Sequence, residues 1–83
     1  MAARVYGVAA RPPTRRALGA TIRTLRQERR LSLETLAGAA GMHTTYLSGI
    51  ERGINNPSWD KLGALAVALD VAVSEIVLRA ERG

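Results

Sequence analysis

The side chains that carry most enzyme chemistry are nearly absent from this chain. It has no cysteine and one histidine, His43, so it offers no disulfide framework, no thiolate chemistry and too few ligands for a zinc site. One imidazole and scattered carboxylates give little from which to assemble a nucleophile–base pair. The sequence therefore reads as a non-enzyme with no cofactor and no metal. What it has in abundance is arginine. Eleven Arg and one Lys stand against seven carboxylates in 83 residues, a net charge of +5, with a pI near 11.1. That balance favours a polyanionic partner, nucleic acid first and an anionic membrane surface second.

Position narrows the choice. Residues 1–30 carry eight Arg against Glu28 alone, a net of +7, whereas residues 31–83 carry four cations against six acids, a net of −2. The elements that must position these charges are helical. Fourteen Ala and ten Leu dominate the apolar residues, aromatics number three, and no β-branched run alternates with polar residues. The apolar run Leu62–Leu69 is eight residues, far short of the ~20 that cross a bilayer. Val5–Ala10 is too short for the apolar core of a secretory signal, and Arg11 ends it. A cytoplasmic location is expected.

Five helices with short connections can be placed from local signals. Met1–Pro13 lacks periodicity and ends in Arg11-Pro12-Pro13, so residues 1–13 are expected to form a flexible basic arm ahead of a single domain over 14–83. Thr14 caps a first helix whose Leu18, Ile22 and Leu25 share a face. Arg15 and Arg16 sit at its positive end, an electrostatic conflict that hints at an external anion unless solvent screens it. Ser32 caps a second helix carrying Leu36, Ala37 and Ala40, and Gly41 ends it. A third runs from about His43 to Glu51 and stops at Gly53. Ser58 caps a fourth, bearing Leu62, Leu65, Ala66 and Leu69. Ser74 is expected to cap a fifth, bearing Ile76, Val77 and Ala80.

Leu33 to Arg52 has the pattern of two short helices crossing steeply. Ala37 must be small where the axes approach, Gly41 supplies the turn, and Leu36, Ala40, Met42, Leu47 and Ile50 point inward. With the flanks Ile22-Arg23-Thr24-Leu25-Arg26, Tyr46-Leu47-Ser48-Gly49-Ile50-Glu51-Arg52-Gly53, Asn56-Pro57-Ser58 and Leu69-Asp70-Val71, the sequence resembles the lambda-repressor/Cro-like (XRE) helix-turn-helix regulators from about Leu18 to Val77. The resemblance implies an all-α, compact five-helix DNA-binding domain that places its third helix in the major groove of double-stranded DNA. It further implies base contacts from Thr44, Thr45 and Ser48 on the outward face, which also holds His43, Gly49 and Arg52. His43 either contacts DNA or only ends the turn. Gly49 either lets backbone and groove approach closely or marks a place where nothing needed to sit.

Tyr46, Arg52, Asn55 and Asn56, with Arg15 and Arg16, are the backbone-contact candidates. Partial burial is the alternative for Tyr46, and an ordinary Asn-Asn-Pro turn for the asparagines. In several relatives the positions of Arg26 and Glu51 form an ion pair, which would make Arg26 structural. Two departures stand out: Leu33 occupies a place where many relatives carry a phosphate-binding Gln, and the third helix has no Lys. Arg4, Arg11, Arg15 and Arg16 are expected to supply the missing charge.

A single recognition helix rarely gives adequate affinity, so a homodimer on a (pseudo)palindromic operator is expected, with Ile76, Val77, Leu78 and Ala80 of the fifth helix as its interface. The alternative is that all of these serve the core. No membrane partner is expected, because the first helix is consumed by the core, while a contact with RNA polymerase stays open. Within the family the chain looks most like restriction–modification controllers, with antitoxin-type or phage-type repressors as alternatives. A helical adaptor that binds only protein is the competing class.

Overall fold

The computed structural model describes residues 12–83, and five helices make up the regular structure of that range. They are α1 (Arg15–Glu28), α2 (Leu33–Ala39), α3 (Thr44–Glu51), α4 (Trp59–Leu69) and α5 (Val73–Arg82). Arg4 and Arg11, and all of the expected arm except Pro12 and Pro13, lie outside the described residues.

Three helices begin as their sequence indicates. The hydroxyl oxygens of Thr14, Ser32 and Ser58 accept from the backbone N–H of Ala17, Thr35 and Lys61 at 3.0, 3.0 and 3.2 Å. Each bond satisfies an N–H that has no partner inside its own helix. The fifth helix starts earlier than its serine suggests: Ala72 is the cap residue and Val73 is already helical, with no side-chain cap. The backbone alone makes this start, since the Ala72 carbonyl accepts from Glu75 N–H at 3.0 Å.

The first four helices end alike. A residue in left-handed conformation follows each, and the next N–H folds back to a carbonyl five residues earlier: Leu31 to Arg26, Met42 to Ala37, Ile54 to Gly49 and Val71 to Ala66, at 2.8–3.1 Å. Gly41 and Gly53 take that conformation at φ 70° and 77° without strain, whereas Arg30 and Asp70 take it at φ 58° and 57° with a side chain attached.

Every helix gives its apolar stripe to one core. Ile22 and Leu25 from α1, Leu36 from α2, Leu47 and Ile50 from α3, Leu65 and Leu69 from α4, and Ile76 from α5 are essentially inaccessible. Burying each stabilises the fold by about 1.5–3 kcal/mol relative to exposure. Leu18, Met42, Val71 and Val73 pack partly buried around them. α1 lies against both α3 and α5, while α2 and α3 cross one another. The consequence for function is that α3 is held on one side by α1 and on another by α2, leaving its remaining face outward.

Candidate nucleic-acid interface

The turn between α2 and α3 is built from small residues. Ala37 is buried where the helices approach. Gly41 donates to the Gly38 carbonyl at 3.2 Å and Met42 to the Ala37 carbonyl at 2.9 Å, so the chain reverses within three residues. α3 begins at His43, which makes no side-chain cap bond. His43 is exposed and does not do the capping that Ser32 and Ser58 do for their helices.

At its other end α3 is seated on α1 with no clearance. A methyl group on Gly19 would collide with the Ile50 carbonyl oxygen and lie 2.7 Å from that of Glu51. Sequence reasoning missed Gly19, because a glycine inside a helix reads as a defect until its neighbour is known. Gly53 makes a second close approach: a methyl there would lie 2.9 Å from Arg16 Cα. Arg15 and Arg16 are thereby set beside the loop that follows α3, and both are exposed.

The Arg26–Glu51 pair ties the same two helices. Arg26 Nε donates to Glu51 Oε2 at 2.7 Å and Nη2 to Oε1 at 3.0 Å, while Nη1 donates to the Leu31 carbonyl at 3.0 Å. The two side chains are 14% and 7% exposed. Hydrogen bonding to Glu51 raises the Arg26 pKa above its ordinary value, outweighing a desolvation that pulls the other way. Arg26 is a fastener inside the fold, and its charge is spent there.

The outward face of α3 is short and hydroxyl-rich. Thr45 is exposed, Thr44 and Ser48 are half-buried, and Arg52 just past the helix is exposed, as is Asn56. Tyr46 is half-buried, packs against the core, and has the Lys61 ammonium 5.8 Å from its ring centroid. That brings α4's lysine up to α3, which has none of its own, an arrangement that no local spacing predicts.

Gly49 and Asn55 lie against one another. Gly49 is buried, because the Asn55 side chain lies over it: Nδ2 donates to the Tyr46 carbonyl at 3.2 Å, and a methyl on Gly49 would collide with Nδ2. Asn55 thus covers Gly49, and one N–H of its amide is engaged with α3.

The apolar residues of α5 divide between core and surface. Ile76 and Ala80 are 0% and 2% exposed within the single chain, consumed by its own core. Val77 is half-buried, and Leu78 at 47% exposure is what α5 leaves outside. The large exposed apolar side chains on α4 are Trp59 (73%) and Val67 (81%).

No helix among the described residues is long and apolar enough to cross a membrane. The described residues hold no cluster of three or more His, Asp or Glu able to bind a metal.

The family profile described as a helix-turn-helix domain matches residues 17–80. A transcriptional regulator from Deinococcus deserti, DdrOP3, is 45% identical over 56 residues, 68% of this chain and 43% of its own. The chain thus spans under half of that relative. The restriction–modification controller C.AhdI from Aeromonas hydrophila superposes with a TM-score of 0.74 at 39% identity, covering 75% of this chain and 94% of its own. SinR, a master regulator for biofilm formation solved in complex with DNA, superposes with a TM-score of 0.68 at 40% identity, over 71% and 95%. These relatives are transcriptional regulators rather than enzymes. With its two helices crossing at Ala37 and Gly41 and its third helix facing outward, the chain belongs to the lambda-repressor-like (XRE-type) family of helix-turn-helix transcriptional regulators.

Proposed function

We propose that the protein is a sequence-specific double-stranded DNA-binding regulator that acts as a homodimer on a (pseudo)palindromic operator. One observation carries the reading: α3 is fixed at both ends, by the Ala37/Gly41 turn and by Gly19 with Arg26–Glu51, and its free face holds Thr44, Thr45 and Ser48. These contacts also stabilise the fold, and they hold the outward face in one geometry, which suits a face that must match another surface. Hydroxyls donate and accept, and a threonine methyl packs on a thymine methyl. His43, Thr44, Thr45 and Ser48 are assigned base edges, while Arg15, Arg16, Arg52 and Asn56 are assigned phosphates, which set register rather than sequence.

The dimer contact in this reading draws on the apolar side chains that α4 and α5 leave exposed, Trp59, Val67 and Leu78, and on half-buried Val77. Among regulators of this fold, restriction–modification control is one reading, with C.AhdI as a similar protein of that kind, and a neighbouring restriction or methyltransferase gene is the direct check.

Selection of bound duplexes from a random pool tests the whole. Two symmetric half-sites about 34 Å apart are expected, roughly 10 base pairs. The logarithm of affinity should fall with log salt by about 0.9 for each phosphate neutralised by an arginine or lysine. An adaptor that binds only protein would enrich no sequence and show no such slope.

A further inference from the structure

Position 49 falls on one stripe of α3 with Thr45 and Arg52, four residues before it and three after. A side chain there would stand among the groups assigned to DNA, yet the residue is glycine, at a helix cost of about 1 kcal/mol relative to alanine. The space is not empty. The Asn55 carboxamide occupies it, donating from Nδ2 to the Tyr46 carbonyl at 3.2 Å. A methyl on Gly49 would collide with that nitrogen and lie 2.9 Å from Asn55 Cγ. The backbone makes the same tie twice more, since the N–H groups of Ile54 and Asn55 both donate to the Gly49 carbonyl, at 2.8 and 3.1 Å. Asn55 itself is half-buried.

We propose that Asn55 is a positioning residue of the DNA-contacting surface, filling from the following loop the place that a side chain at position 49 would fill. The carboxamide locks the loop to α3, and so fixes Arg52, three residues before it, and Asn56, directly after it, relative to Thr44, Thr45 and Ser48. Gly49 is the other half of the device, because only a residue without Cβ leaves the carboxamide its seat. The inference rests on the DNA reading above.

The test measures affinity and salt dependence on the selected duplex for the full chain and for Asn55→Ala, Gly49→Ala and the double variant. Asn55→Ala is expected to weaken binding about tenfold and to reduce the salt slope by about 1, as one phosphate contact is no longer held in place. Gly49→Ala should do the same, because its methyl evicts the carboxamide. The double variant should bind no more weakly than either single one, the mark of two residues acting as a unit. Leu65→Ala controls for destabilisation alone, lowering the melting midpoint and leaving the slope unchanged. Should Asn55→Ala fold poorly, Asn55→Ser gives the same reading, since its hydroxyl is too short to reach the Tyr46 carbonyl.

Wild-type affinity and slope in Asn55→Ala, or additive losses in the double variant, overturn the proposal while leaving the DNA reading intact. If the unaltered chain binds no duplex at all, the DNA reading fails and the positioning role with it.

Discussion

α1 carries two seams that use the same residue types and behave as opposites. Against α3 it meets backbone at Gly19 without clearance, and an Arg–Glu pair shielded from water spans the contact. Against α5 it also has an Arg–Glu bridge, Arg79 to Glu28 at 3.3 Å, but these side chains are 41% and 53% exposed. Arg79 there divides its attention with Glu75 at 3.1 Å. A solvent-open groove of about 230 Å³ lies beside that seam, lined by Ala17, Ala20, Thr21, Thr24, Arg79 and Gly83. The solvent-exposed bridge thus lies on the α5 side of α1 and the shielded one on the α3 side.

The largest test of this contrast is Glu51→Ala. It strands the Arg26 guanidinium away from water, and a loss of about 3 kcal/mol in unfolding free energy is expected. Lys61→Ala, which removes an exposed ammonium near the Tyr46 ring, should cost less than about 1 kcal/mol. Equal melting midpoints for the two variants would show that the pair does not hold the seam. Next comes Gly19→Ala, expected to cost about 1–3 kcal/mol because the added methyl meets carbonyl oxygens that belong to helix backbone. A cost near zero in denaturant titration would mean that the tight seam has hidden room.

Arg79→Ala should cost under about 1 kcal/mol, and the difference from wild type should shrink further in 1 M salt, where exposed pairs are screened. The Glu51→Ala deficit should survive the same salt. Smallest, and opposite in sign, is Gly38→Ala on α2. Nothing lies within 4 Å of a methyl there, so improved helix propensity should raise stability by up to about 1 kcal/mol. Together with Gly19 it separates glycines that are required from glycines that are merely tolerated.

Much of this was legible in the sequence because it is local. Thr14, Ser32 and Ser58 cap their helices through bonds three residues long, and Gly41 and Gly53 end theirs by backbone conformation, so short windows suffice. Arg26 and Glu51, 25 residues apart, could be paired only through resemblance to a family. What stayed hidden depended on contacts between distant segments or on competition between faces. Gly19 is explained by the carbonyls of α3, Gly49 by Asn55, and Lys61 by Tyr46. On α5, apolar residues occur on more than one side, and periodicity could not say which side the core would take. It took Ile76 and Ala80, and left Leu78. Arg30 holds a left-handed backbone that its residue type does not advertise, whereas Asp70 is of a type that tolerates it. The start of α5 at Ala72 has no side-chain signal for the same reason that it has no side-chain cap.

Trp59 is the chain's only tryptophan, and nearly three quarters of it faces water at the start of α4. It is therefore an optical gauge already installed on the surface assigned to self-association. As copies meet over α4, its indole passes from water to an apolar surrounding, and the emission should shift to the blue without any label. A dilution series without DNA, read at that one side chain, would follow assembly alone.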